Sequence, residues 1–241
     1  MKTTKPILGK WNYIFLLGES GGGKDTLLDN IIMHWLPSLS FKSMDDVFRE
    51  KAELNPEIRT LTESGVLIGD DITFKLFKEE ADRTAPGLIA GFPLNRRQAL
   101  DAIRFVKSRH WRALVIDILC DIDVIIKRLL GRGREGDRLA IMHKRNQAHK
   151  MFHPAVMEEI KNRFDLFDVI SLNGNLSADI TFTNFTLEVL RLSDMTHFYD
   201  EKFDPPRFMV NKDETTINPA VSRFICDILC RIHERTQGIP M

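Results

Sequence analysis

The sequence predicts an α/β fold of three layers, with a central parallel sheet between two layers of helices. Three observations predict it. Short apolar, β-prone runs alternate with amphipathic stretches along most of the 241 residues, and strands that alternate with helices form parallel sheets. A glycine-rich turn, Gly18-Glu-Ser-Gly21-Gly22-Gly23-Lys24, joins the first apolar run to the first helical pattern. A composition of 43% hydrophobic and 28% charged residues supplies the core of one large domain.

The elements follow in order. Residues 1–11 read as a short arm. Tyr13 to Leu17 reads as a buried strand. The next helix carries apolar pairs at Leu27/Leu28, Ile31/Ile32 and Trp35/Leu36 and stops at Pro37. Leu39 to Lys42 reads as a second strand. Helices are expected from about Asp45 to Glu53, from Pro56, a favoured first helical position, and from Asp70-Asp71. Gly87 to Ala90 is a third strand, and a helix runs from about Asn95 to Ser108. Trp111 to Leu119 reads as another central strand. Asp121 is placed to cap a helix whose Ile122, Ile125, Ile126, Leu129 and Leu130 share one face. Residues 131–137 read as a basic loop. Helical patterns resume at Leu139 to Lys150 and again at Pro154 to Phe164. Phe167 to Leu172 is a last strand, and a helix follows to about Leu192. Residues 193–241 form an extension with an amphipathic helix at about 218–235. Its apolar face needs cover from the core, a partner or a second copy.

Gly18 and Gly23-Lys24 have the spacing GxxxxGK of a phosphate-binding P-loop. Glycines let several backbone N–H groups point into one concavity, where they and the positive end of the following helix hold phosphate oxygens. In that motif Lys24 reaches the outer phosphates and a hydroxyl serves Mg²⁺. Here Asp25 intervenes, and the hydroxyl is that of Thr26.

Composition excludes several classes. Lys plus Arg and Asp plus Glu each number 34, so the formal net charge is zero. Nucleic-acid and membrane-surface binders are expected to be basic. No apolar run reaches bilayer-spanning length, and Met1 to Lys10 lacks a signal-peptide core. Three cysteines, Cys120, Cys226 and Cys230, make no disulfide framework and read as reduced thiols of a cytoplasmic protein. Cys226 and Cys230 with His233 lack a fourth metal ligand and read as structural.

Four more segments accompany the loop: Ser43-Met-Asp-Asp-Val-Phe-Arg49, Gly65-Val66-Leu67-Ile68-Gly-Asp70, Gly91-Phe-Pro-Leu94-Asn-Arg96-Arg97-Gln98, and Arg128-Leu-Leu-Gly-Arg132-Gly-Arg134 with Arg145 one helix later. In this order and spacing, over about residues 11–192, the chain resembles the adenylate kinase family of nucleoside monophosphate kinases. The resemblance implies a P-loop NTPase fold with a helical acceptor-binding insertion at about 43–85 and a short lid at about 131–138. It implies ATP and Mg²⁺, with small-molecule nucleotides as partners. Gly18, Gly21, Gly22, Gly23, Lys24, Asp25, Thr26, Arg128 and Arg132 would hold ATP. Ser43, Arg49, Val66, Leu67, Ile68, Gly91, Arg96, Arg97 and Gln98 would hold the acceptor, with Gln98 tipping it toward AMP. Lys24, Arg128, Arg134 and Arg145 would serve transfer. Guanidinium forks suit a reaction that gathers several phosphate charges and asks mainly for positioning.

Three positions depart from the family pattern. Ala90 stands where an acid orients the metal, Leu94 where an arginine grips the acceptor phosphate, and Asp25 where glycine is usual. Asp25, with Thr26, is the candidate to replace the metal-orienting acid, or else a plain helix N-terminal charge. Arg96 or Arg97 is the candidate to replace the grip. The same departures fit a nucleotide-binding regulatory module, or a kinase for another (deoxy)nucleoside monophosphate. His143, His149 and His153 receive no catalytic role, since this transfer needs no general base. Trp11, Trp35 and Trp111 read as packing residues.

Overall fold

The computed structural model of the chain describes Ile7 and residues 10–34, 36, 38–64, 68–131 and 136–193. Five strands, β1 (Tyr13–Gly18), β2 (Ser40–Ser43), β3 (Gly87–Ala90), β4 (Ala113–Leu119) and β5 (Phe167–Asn173), form one sheet in the order β2-β3-β1-β4-β5. Every pairing is parallel, with Tyr13 opposite Gly87 on one side and Ala113 on the other. Among the described residues eight helices connect and cover the strands: α1 (Lys24–His34), α2 (Met44–Leu54), α3 (Pro56–Ser64), α4 (Asp70–Thr84), α5 (Arg96–Ser108), α6 (Ile122–Gly131), α7 (Gly136–Lys161) and α8 (Ala178–Leu192).

The three layers follow from the two-residue period of a strand. Ile14 and Leu16 turn to one face, where they pack with Leu27, Ile31, Phe185 and Val189 of α1 and α8. Tyr13, Phe15 and Leu17 turn to the other, against Phe77 of α4, Phe105 of α5 and Val156 and Ile160 of α7. Both faces are covered, so β1 is apolar and buried at all six positions. Phe77 stacks on Phe92 with ring centroids 4.3 Å apart. Trp11 is fully buried and donates to Asp168 at 2.7 Å, and Trp111 stacks on Tyr13 at 5.8 Å. Trp11, at the end of the expected arm, is thus part of the core.

Four expectations change in detail. The two helices read on either side of Pro154 are one helix, α7, with the proline inside it. Proline removes one backbone donor but does not forbid a helix whose flanks are packed, and Val156, Met157 and Ile160 beyond it are buried in the core. The basic loop at 131–137 is shorter than read, because Gly131 ends α6 and Gly136 opens α7. The strand read from Trp111 begins at Ala113. Asp121 precedes α6, but its carboxylate accepts from Asn175 at 3.0 Å. Trp35, Pro37, Val66, Leu67, Arg132, Arg134, Cys226, Cys230 and the helix expected at 218–235 lie outside the described residues.

Candidate active site

In a parallel sheet all strands end on one edge, and a crevice opens where successive connections leave in opposite directions. Here that point is β1. The chain leaves it toward β2 on one side, and the β3-to-β4 connection crosses to the other. The glycine-rich loop sits there. Gly18 and Gly23 adopt φ of 142° and 105°, which side-chain-bearing residues rarely reach. A Cβ on Gly18 would also meet the Ile118 carbonyl at 2.8 Å.

Lys24 curls back over the loop and donates to the carbonyls of Gly18 at 2.8 Å and Glu19 at 2.9 Å. Burial lowers its pKa, opposed by Asp25, Asp45 and Glu19. Arg128 of α6 reaches the same loop, donating to the Gly22 carbonyl at 3.4 Å and, from its other terminus, to the Leu176 carbonyl at 3.2 Å. Arg145 of α7 bonds Asp45 of α2 at 3.1 Å. Three cations from distant segments therefore gather at the C-terminal edge of the sheet.

Asp25 and Thr26 are exposed in the first turn of α1. Among the described residues no group of three His, Cys, Asp or Glu side chains is placed to hold a metal. An exposed carboxylate and hydroxyl such as those of Asp25 and Thr26 suit Mg²⁺, which keeps waters and is commonly held by substrate phosphates plus one or two protein oxygens.

The predicted acceptor residues divide into two kinds. Ser43 caps α2, accepting from the Asp46 N–H at 3.0 Å. Arg49 bonds Asp46 while its side chain stays 70% exposed. Ile68 is buried and its carbonyl accepts from Thr73 at 3.2 Å. Gly91, at φ 80°, donates to the Leu16 carbonyl at 3.0 Å. Arg96 and Arg97 have carboxylate partners: Arg96 bonds Glu159 at 2.6 Å, and Arg97 bonds Asp101 at 3.1 Å. Gln98 is buried and fixed at both ends, accepting from the Leu94 N–H and donating to Asp70, each at 2.8 Å.

Two features escaped the sequence reading. Glu19, inside the glycine-rich loop, is 5% exposed, and its Oε2 has no hydrogen-bond partner among the described residues. Burial pushes its carboxyl up, opposed by Lys150, His153 and Lys24. Its Oε1 lies 4.0 Å from His149 Nδ1. Burial lowers the His149 pKa to about 4, so the ring is neutral at pH 7. His153 pairs with the buried Asp117 at 2.8 Å. The second feature is Asn146, whose amide bonds Ser20 at both of its polar atoms. Asn146, His149 and His153 fall at helical spacing on one face of α7, a polar stripe that the sequence does contain. Glu19, His149, Lys150 and His153 line a cavity of about 460 Å³.

No family model matches the chain. It is similar to an adenylate kinase of Oenococcus oeni, 31% identical over 176 aligned residues that cover 68% of this chain and 92% of that enzyme. It is similar to an adenylate kinase of Treponema denticola, 36% identical over 131 residues, covering 50% of this chain and 58% of that protein. It is also similar to a probable UMP-CMP kinase 2 of Arabidopsis thaliana, 26% identical over 163 residues, covering 64% of this chain and 61% of that protein.

Proposed function

The chain belongs to the adenylate kinase family and is an ATP-dependent phosphotransferase acting on nucleoside monophosphates, and from that premise we propose that AMP is its acceptor, giving two ADP. The observation that supports the site is the convergence of Lys24 and Arg128 on one glycine-rich loop, with Arg145 reaching Asp45 of α2 from the other side. Phosphoryl transfer between two nucleotides demands little covalent work of a protein. Its barrier falls when the reacting oxygens are held in line and the charge on the transferred group is neutralised.

Lys24 exchanges the loop carbonyls for phosphate oxygens when ATP enters. Arg145 begins paired with Asp45, side chains 34% and 57% exposed. Such a pair is worth at most about 1 kcal/mol, so incoming phosphates displace Asp45 readily. Mg²⁺, held by the phosphates with Thr26 and Asp25 nearby, would supply further neutralising charge. Arg49, the exposed cation of α2, grips the acceptor phosphate in place of the arginine absent at Leu94. Arg96 and Arg97 start on Glu159 and Asp101, whose side chains are the more buried partners, and we assign them to bracing α5. Gln98 supports adenine. Its amide is held by one donated and one accepted bond, which leaves one N–H and one lone pair for a base edge.

The test is an ADP-coupled assay with Mg-ATP and AMP, dAMP, CMP, UMP, GMP and dTMP, in parallel with Lys24→Met. Turnover with AMP that disappears in the variant is the expected result. Turnover with a different acceptor would move the specificity and overturn the reading of Gln98. ATP binding without turnover on any acceptor would refute the kinase and leave a nucleotide-binding module.

A further inference from the structure

The backbone of one residue carries one donor and one acceptor to satisfy, and a single side-chain amide offers the complement of both. Asn146 of α7 makes that match with Ser20 of the phosphate loop. Its Oδ1 accepts from the Ser20 N–H at 2.9 Å, and its Nδ2 donates to the Ser20 carbonyl at 3.1 Å. Asn146 is 3% exposed, which limits the access of water to its end of these bonds. The two residues are 126 positions apart, and the contact is therefore tertiary. Asn146 also directly follows Arg145, whose guanidinium faces Asp45 across the site. One turn further on, His149 lies against Glu19, the neighbour of Ser20.

We infer that Asn146 is a positioning residue for the ATP site, clamping the Ser20 peptide so that the loop and Arg145 keep a fixed spacing. The inference rests on the loop being the ATP phosphate site. Asn146 acts through the backbone of Ser20 and through its own neighbour on α7. An apolar side chain of the same size would fill the space while leaving both polar atoms of Ser20 without partners. Aspartate would keep the bond to the N–H and lose the one to the carbonyl.

The experiment compares the full chain with Asn146→Leu and Asn146→Asp. Two quantities are read: hydrogen exchange at the Ser20 amide by NMR, and ATP affinity by calorimetry without acceptor. In Asn146→Leu, Ser20 exchange is expected to accelerate and the ATP Kd to rise, each about tenfold or more, with sheet amides protected as before. In Asn146→Asp, Ser20 protection is expected to return toward that of the wild type. A folded Asn146→Leu whose Ser20 exchange and ATP affinity both stay within about twofold of wild type overturns the inference. If Asn146→Leu does not fold, Asn146→Ser, which leaves a gap instead of an apolar mismatch, carries the same expectations and the same refutation. Both readouts are independent of turnover, so a chain that binds ATP but phosphorylates nothing would sink the kinase reading and still decide the clamp.

Discussion

Glu19 offers the sharpest test of the electrostatics, because replacing it is predicted to improve the protein. A carboxylate removed from water with one oxygen unpartnered costs about 1–3 kcal/mol. Glu19→Gln keeps the shape and removes the charge. Burial raises the folded carboxyl above its ordinary 4.5. A raised folded pKa means the native state holds this proton more tightly than the unfolded state. The resulting stability is present in full below about pH 4.5 and is lost as pH rises through the folded value. The wild type therefore carries the penalty at pH 7.5 and sheds it in mild acid. The expected gain for Glu19→Gln at pH 7.5 is about 1–3 kcal/mol, or about 2–12 °C in Tm for a chain of this size. At pH 4.5 the gap should nearly close. His149 titrates in the opposite sense. Its pKa is lowered to about 4, so stability falls as pH drops from 6.5 toward 4. His149 lies 4.0 Å from Glu19, so the two titrations are coupled, and the same pair of melts in a His149→Gln background separates them. Thermal melts followed by circular dichroism at the two pH values measure the gap. A variant no more stable than wild type at pH 7.5, or a gap of equal size at both, would refute the reasoning.

Pro154 lies inside α7 and cannot donate a backbone bond to the preceding turn. Pro154→Ala is expected to stabilise by about 1–3 kcal/mol, read as a higher urea midpoint. Asp168 holds Arg112 through two bonds of 2.8 and 2.9 Å and accepts from Trp11 at 2.7 Å. Asp168→Asn should cost about 1–3 kcal/mol at pH 7. Burial pushes the Asp168 carboxyl up, but the bonds from Arg112 and Trp11 outweigh it and hold it below its ordinary 3.8. Its stabilisation is therefore complete above pH 3.8 and lost as acid protonates the folded group. Chemical denaturation from pH 7 down to pH 2 should show the two proteins converging.

What the sequence made legible was local or periodic. The glycine-rich turn after β1 announced itself because glycines and lysine recur at fixed spacing along one turn. The strands announced themselves because double-sided burial leaves runs such as Tyr13 to Leu17 almost wholly apolar. Pro154 misled because a local breaker was weighed without the tertiary packing of Val156 and Ile160 that holds the helix through it. The pairings Glu19–His149, Ser20–Asn146 and Asp45–Arg145 join segments 100 or more residues apart. Nothing in either segment alone specifies its partner. Arg96 and Arg97 show the same limit, since a cation beside a motif reads alike whether it faces a phosphate or a carboxylate such as Glu159.

The strand order assigns the two ends of the site different resistance to opening. β1, root of the glycine-rich loop, has a hydrogen-bonded neighbour on each side and is buried at every position. β2, which leads into α2 and its Arg49, is a four-residue edge strand with two exposed positions. Local unfolding follows hydrogen-bonding and burial. Thermal fluctuation therefore reaches the α2 end, which we propose takes the monophosphate, before it reaches the glycine-rich loop. On that proposal the protein can breathe at one end of its nucleotide pair while the other stays set, and that mobility is written into the sheet before any ligand arrives.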